Sequence, residues 1–306
     1  MRIPLLAPVV PPHVFCLTAE GVTYAHVRRD PAPGFAHVRH TAYPPNALGA
    51  GTSGTPLFSR EAIAGAVEGA RRQAGGRLNR ASVVFPDVWA RMLPIEFDTL
   101  PQGNEAAREM VAWKLKKLLP GVTSDLSVIF REMPPLGQER RLLVAAAPAE
   151  TLHSIEQAFD ALGVRIGALA PASLALFEGL ASTLAGRVPG DYALVHRSAG
   201  SFVFIVAREE APLFFRQRPV EAEDGDHEQE VRLSLSYYIE KLKGPGLSSV
   251  YLHDALPGQE LDAAAAFPSA PVVLSGRFFG GDGDFDARVA SRPELLPGFA
   301  AIFGAG

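Results

Sequence analysis

Apolar positions between Arg141 and Ser198 fall into runs of two kinds, and their spacing predicts strand, helix, strand, helix, strand. Residues 142–147 are a short unbroken apolar run, the pattern of a strand buried on both faces. Pro148 follows where a helix can begin, since a first turn loses nothing by a missing N–H. Leu152, Ile155, Phe159 and Leu162 then recur at helical spacing, and Gly163 permits the backbone reversal that ends a helix. Residues 164–168 predict the next strand. Pro171 opens a second helix, with Leu174, Phe177, Leu180 and Leu184 on one face, which Arg187-Val-Pro-Gly190 breaks before the strand at 192–196. A long helix leading into a new strand joins two α/β lobes, so a lobe boundary is expected near residue 188.

Upstream, residues 14–17, 22–27 and 35–41 predict an antiparallel three-strand meander with turns at Glu20-Gly21 and 31–34. Ser59 caps a helix carrying Ile63 and Val67, Gly75-Gly76 stops it, and 81–85 is a strand. From Pro86 the texture changes: a broken strand at 89–97, a helix at 104–119 and a strand at 127–130 form an inserted unit. Met110, Trp113, Leu118 and the strand at 128–130 are expected to share its apolar centre, with Trp113 a core residue. Beyond the boundary, 192–196, 201–207 and 213–218 repeat the meander. A helix follows with Val231, Leu235, Tyr238, Ile239 and Leu242 on one face, closed by Gly244-Pro245-Gly246. A strand at 250–252, a short helix at 261–266, a strand at 271–274, a Gly/Asp loop and a final helix from Glu294 complete the second lobe. Two lobes that open alike imply duplication. The expected partition is residues 1–85 plus 142–187 as a first lobe, 86–141 as an insert and 188–306 as a second lobe.

The 47% hydrophobic and 20% charged content belongs to a folded chain, and its 306 residues exceed what one core usually holds. A net charge of −4, with Lys114, Lys116 and Lys117 as the single short lysine cluster, excludes a general nucleic-acid binder. Cys16 is the one cysteine, so no internal disulfide can form and a cytoplasmic, reducing home is expected. Prolines interrupt the apolar run at 3–10, and the window at 166–177 is far below the roughly 20 residues that span a bilayer, so membrane association is expected only through a partner.

Candidate chemistry is sparse. Gly49-Ala-Gly51-Thr-Ser-Gly54 has the letters of a dinucleotide loop, but Pro44-Pro45 stands where its strand should be. Ser53 lacks the strand and second glycine of a nucleophile elbow. Asp282, Asp284 and Asp286 alternate as in a calcium loop, yet Ala287 and Pro293 replace the glycine and the glutamate it needs, leaving a solvated turn. The acidic run 221–230 reads as a solvated loop and helix start. His37 and His40 should point to opposite faces of their strand, and no zinc pattern is present. No metal and no cofactor are expected.

Arg91-Met-Leu-Pro-Ile-Glu, Glu105-Ala-Ala-Arg-Glu-Met-Val-Ala-Trp113-Lys with Leu119-Pro120, Leu143-Val-Ala-Ala-Ala-Pro148, Ala161-Leu-Gly163-Val and Leu296-Pro-Gly-Phe-Ala-Ala-Ile-Phe-Gly304 together resemble the PilM family, actin-like proteins of type IV pilus assembly. FtsA and the cytoplasmic part of GspL share that architecture. The resemblance implies an α/β, actin-like fold of two ribonuclease-H-like lobes, with a small α+β insert in the first and no large subdomain inserted in the second, only the loop at 220–226 standing at that place. ATP-binding members carry an Asp-Ile-Gly turn at the start of each lobe. The matching turns here hold Thr18 and Gly21, and His196, Ser198 and Gly200, without the aspartate; Leu252-His253-Asp254-Ala255 lacks the glycine pair of the adenosine side, and Arg197 is expected to be a solvated turn residue. The resemblance therefore implies a pseudo-ATPase, not an enzyme. It implies a cytoplasmic scaffold, peripheral to the inner membrane, that holds the cytoplasmic tail of a PilN-like protein in the cleft between the first lobe and its insert. Trp89 and Arg91 are the residues expected to meet that tail. The alternatives are an active actin-like ATPase or kinase, or a GspL-like platform protein of type II secretion.

Overall fold

The computed structural model describes residues 10–29, 32–43, 60–74, 78–99, 101, 104–118, 125–136, 139–219, 227–256, 261–267 and 269–303. In chain order the strands are β1 (His13–Leu17), β2 (Gly21–Arg28), β3 (Gly34–Ala42), β4 (Arg80–Phe85), β5 (Arg91–Phe97), β6 (Leu126–Leu136), β7 (Glu139–Pro148), β8 (Arg165–Pro171), β9 (Asp191–Ser198), β10 (Ser201–Arg208), β11 (Ala211–Pro219), β12 (Leu247–Asp254) and β13 (Val272–Val273). The helices are α1 (Arg60–Gln73), α2 (Asn104–Leu118), α3 (Ala149–Asp160), α4 (Ala172–Leu184), α5 (His227–Ser236), α6 (Ala263–Ala266), α7 (Gly283–Ser291) and α8 (Leu295–Phe303). The described residues divide into two compact units, one holding those up to Trp89, His153–Arg187 and those from Val273, the other Ala90–Leu152 and Val188–Val272. The loop motif at Gly49–Gly54, Ser53 and the acidic residues at 221–226 lie outside the described residues.

The first unit is built on a sheet of order β3-β2-β1-β4-β8, in which β1, β2 and β3 form an antiparallel meander and β4 and β8 add in parallel. The second unit has a sheet of the same plan, β11-β10-β9-β12-β13, again an antiparallel meander followed by a parallel crossover to β12. Residues 192–197 of β9 and 201–207 of β10 are buried on both faces, and the apolar runs at 192–195 and 202–207 follow from that position. On one face Ala193, Val195, Phe202 and Phe204 pack with Val231, Leu235 and Tyr238 of the helix that follows. A π turn over Tyr237–Lys241 then rotates the pattern, so Ile239, expected on this face, is half exposed. At the start of β9 the buried Asp191 accepts hydrogen bonds from Tyr238 Oη at 2.5 Å and Arg208 Nε at 2.6 Å.

Two expected boundaries move. Residues 142–147, assigned by pattern to the first lobe, belong to β7, the central strand of a separate antiparallel sheet of order β5-β7-β6. Their apolar run is explained by a partner on each edge and by α2 covering one face with Val111 and Leu115 against Leu142, Val144 and Ala146. The last segment, assigned to the second lobe, joins the first unit. Helix α8 is apolar all round and is buried accordingly, through Leu295, Leu296, Phe299, Ala300 and Ile302. Small residues let it come close: a Cβ on Gly298 would meet Cys16 Sγ at 2.6 Å, and one on Gly179 would meet Ala300 O of α8 at 2.6 Å. Before it, Asp282 caps α7 by accepting from Phe285 N at 2.8 Å, Asp284 pairs with Arg288 and Asp286 with Arg277. The alternating acids are thus helix-start chemistry.

The tryptophans exchange the places expected for them. Trp89 ends a short 3-10 turn (Asp87–Trp89) and is buried, its ring 6.4 Å from Phe85. Trp113 is 58% exposed, because Ala107, Val111 and Leu115 form the inward row of α2 and residue 113 lies on the opposite side. Truncating Trp89 to Ala should therefore cost ~3–5 kcal/mol and Trp113→Ala no more than about 0.5 kcal/mol, read as shifts in the urea midpoint at constant slope.

Register also assembles a feature that spacing along one strand hides. His13, His26 and His37 stand directly opposite one another across β1, β2 and β3, with ring centroids 4.4 and 6.3 Å apart. His40 points to the other face, as parity requires, and bonds Thr23. Burial and then the neighbouring His26 lower the pKa of His13 from 6.5 to about 4, and burial and then His37 lower that of His26. Below pH 6.5 the unfolded chain thus binds more protons than the folded one, so stability is full above that pH and falls as pH drops toward 4. Urea unfolding should give a lower stability at pH 5 than at pH 7, and His13→Gln should flatten that dependence.

Candidate phosphate turns

In the first unit the turn between β1 and β2 holds Thr18, Glu20 and Gly21. Thr18 N–H donates to Gly21 O at 2.9 Å, and Thr18 Oγ1 accepts from Glu20 N at 3.2 Å and Gly21 N at 3.1 Å. A threonine hydroxyl readily makes such a turn with its own backbone. Amides that could cradle a phosphate are consequently committed to a side chain of the same turn. Gly21 is required for a separate reason: a Cβ there would lie 2.4 Å from Thr41 O on β3.

In the second unit Ala199-Gly200 join β9 to β10, Gly200 in the left-handed region at φ 73°, with Ser198 opposite Ser201. His196, which replaces the expected carboxylate, is buried against His253 of β12; the rings stack 4.9 Å apart at 3°, and the two Nδ1 atoms are 2.7 Å apart. One Nδ1 donates its proton and the other accepts it. Arg197 is not the solvated residue expected from its place in a turn. Its side chain is 3% exposed and its guanidinium lies 2.5 Å from Asp254 Oδ2, while Asp254 Oδ1 accepts from Leu256 N at 3.1 Å. Ala255 N–H bonds Arg197 O at 2.9 Å. The β12 end, matched by pattern to an adenosine-side turn, is therefore fastened to the β9 end by a histidine pair, an ion pair and a backbone bond, all set by the parallel register His253↔His196 and Asp254↔Arg197. Sequence inspection found both segments but not their pairing, because parallel strands 57 residues apart leave no local signal.

Of the residues expected to meet a partner, Trp89 contributes to the interior and is no exposed anchor, whereas Arg91 is exposed at the start of β5, opposite Ala146. The neighbouring Asp87 belongs to no motif that marks it in the sequence. It is fully buried, and its Oδ1 accepts from Ser173 N at 3.0 Å and Ser173 Oγ at 2.9 Å. Helix α4 begins at Pro171, which offers no capping side chain, and Asp87 supplies the acceptor from another segment.

No protein-family model and no curated protein matches the sequence. Among solved structures, the chain is similar to one described as the PilM-PilN type IV pilus biogenesis complex, with a TM-score of 0.72 and 18% identity over 97% of this chain and 98% of that one. It is also similar to a Bacteroides thetaiotaomicron protein with an actin-like ATPase fold, with a TM-score of 0.52 and 10% identity over 97% and 99% of the two chains. The fold is actin-like. Its two sheets of like order are the ribonuclease-H-like lobes of that architecture, and the likeness in fold spans 97% of this chain. The cytoplasmic domain of EpsL, an inner-membrane component of the type II secretion system of Vibrio cholerae, aligns with a TM-score of 0.47 and 12% identity over 86% of this actin-like chain and 90% of that domain.

Removing one member of a buried ion pair strands the other charge. Asp254→Ala should destabilise the fold toward the lower end of ~3–5 kcal/mol, since Asp254 keeps 22% exposure, and Arg197→Met combined with Asp254→Leu should restore most of the loss. An unaltered urea midpoint in Asp254→Ala would show that the pair does not fasten the two strand ends.

Proposed function

We propose that this actin-like chain is a scaffold, not an enzyme: a cytoplasmic component of a type IV pilus inner-membrane assembly platform that binds the cytoplasmic tail of a PilN-like membrane partner. The observation that carries the non-catalytic part is that the protein's own groups engage at both candidate phosphate turns, Thr18 bonding the amides of the first and the strand-end His196 and Arg197 beside the second pairing with His253 and Asp254. Backbone amides and a strand-end carboxylate are what a nucleotide's phosphates and magnesium need from such turns; here the Glu20 and Gly21 amides are bonded to Thr18, and Thr18 and His196 stand where the carboxylates would be. The pilus part is supported by the full-length likeness in fold to a chain of a PilM–PilN complex. Among the described residues no helix is long and apolar enough to cross a membrane, and capture of a partner's tail supplies the attachment. Arg91 is the exposed cation near the start of β5 that the reading assigns to that tail.

A working ATPase is the competing reading, since the same fold is found in a protein described as having an actin-like ATPase fold. Thermal unfolding in millimolar Mg-ATP separates the two. The scaffold should melt at an unchanged temperature, whereas a site filled at a hundredfold excess over its Kd would add about 2.7 kcal/mol and raise the midpoint. In parallel, a pull-down with the cytoplasmic tail of the neighbouring inner-membrane protein should retain the parent and recover Arg91→Ala at least several-fold less well; a parent that captures no such tail overturns the scaffold reading.

A further inference from the structure

Helix α2 ends in a patch unlike its beginning. Ala107, Val111 and Leu115 face inward, while Trp113 stands on the outer side and Leu118 is 48% exposed at the helix end. Lys116 and Lys117 are exposed on the same arc as Trp113, and Lys117 Nζ lies 3.7 Å from the centroid of the Trp113 ring. From Trp113 to Leu118 the helix carries no acid, and of its three lysines Lys114 turns to Glu96 O and the Phe97 ring while Lys116 and Lys117 are exposed; Glu105 and Glu109 occupy its first half. Trp113 also borders an open cavity of about 610 Å³ near the end of β5, but Asp98 and Glu109 share that lining with Lys114, so the cavity is mixed in charge and only the last turn is cationic throughout. Lysines near a helix C-terminus answer the helix dipole. An exposed indole and an exposed leucine beside them do not, and both cost hydration in water.

Indole and ammonium groups presented together are the side chains of a membrane–water interface: the ring sits at headgroup level and the lysines meet lipid phosphates. We propose that the last turn of α2 rests on the headgroups of an anionic bilayer. The contact builds on the reading of this chain as an inner-membrane platform, and it gives that platform an orientation. Two lysines near an anionic surface are worth on the order of thirtyfold in partitioning, too little to hold a protein there alone. Combined with a tethered tail, which makes the contact intramolecular, it fixes which side of the insert faces the membrane.

The test uses the full chain and vesicles of phosphatidylcholine alone or mixed with phosphatidylglycerol, at millimolar lipid and low salt. The anionic vesicles should sediment several-fold more protein, and salt near 0.5 M, which shortens screening to a few ångströms, should abolish the difference. Lys116→Glu with Lys117→Glu should remove the preference, Trp113→Ala should weaken binding, and brominated lipid should quench the parent's fluorescence but not that of Trp113→Phe. Melting curves check that each variant folds. Equal binding to neutral and anionic vesicles, or an undiminished preference in the double lysine variant, overturns the proposal. If instead these variants lose the partner's tail while vesicle binding is unaltered, the patch is a peptide surface and the bilayer contact is likewise overturned. Tail capture by the parent protein is read separately, so the platform reading and the bilayer contact fail by different results.

Discussion

A sheet edge left open to water presents unpaired backbone groups, and the covering of one such edge organises the second unit. β11 is the outer strand of its sheet, and the insert lies against it. Gln217 on β11 acts as a substitute peptide group: its Oε1 accepts from Met92 N at 2.8 Å and its Nε2 donates to Ala90 O at 3.1 Å. Arg141, almost fully buried, donates to Leu213 O at 3.2 Å, and Arg131 donates to Glu210 O at 2.7 Å. Three long polar side chains thus satisfy the backbone where two sheets meet without sharing a ladder. Arg141 stands near the start of β7, just before the run that buries Leu142, Val144 and Ala146 under α2, so the run assigned by pattern to the first lobe serves the insert.

The same economy of internal partners governs the turns. In the first lobe the chain reversal that an actin-like nucleotide site would use closes on itself through a hydroxyl, and in the second the strand end leading into it is tied to β12 by paired side chains. Pairing is obligatory for groups this deeply buried, because an unpartnered ion or imidazole there costs more than the contact returns. A turn or strand end fastened in this way holds its geometry without a ligand. Asp87 does the corresponding work at the start of α4, giving a buried helix end its acceptor.

Chain pattern was sufficient for most elements and for the repeated plan of the two lobes, but not for α7, whose glycines and acids read as a solvated turn. Period-two and 3.6-residue apolar spacing, with glycine and proline at the boundaries, is local chemistry that each segment carries in itself, so the meanders, the long helices and the parity of His37 and His40 could be read directly. The absence of an aspartate from both turns was legible for the same reason. What needed the tertiary structure was every assignment of a segment to a partner. Residues 142–147 are as apolar as a first-lobe strand would be, α8 is apolar on all sides, and a tryptophan on a helix is equally compatible with core and surface. Neighbours alone decide among these. The His13–His26–His37 row, the Arg197–Asp254 pair and the bond from Asp87 to Ser173 each join residues from separate segments, and register across a sheet is set by packing of the whole rather than by the order of residues along any strand.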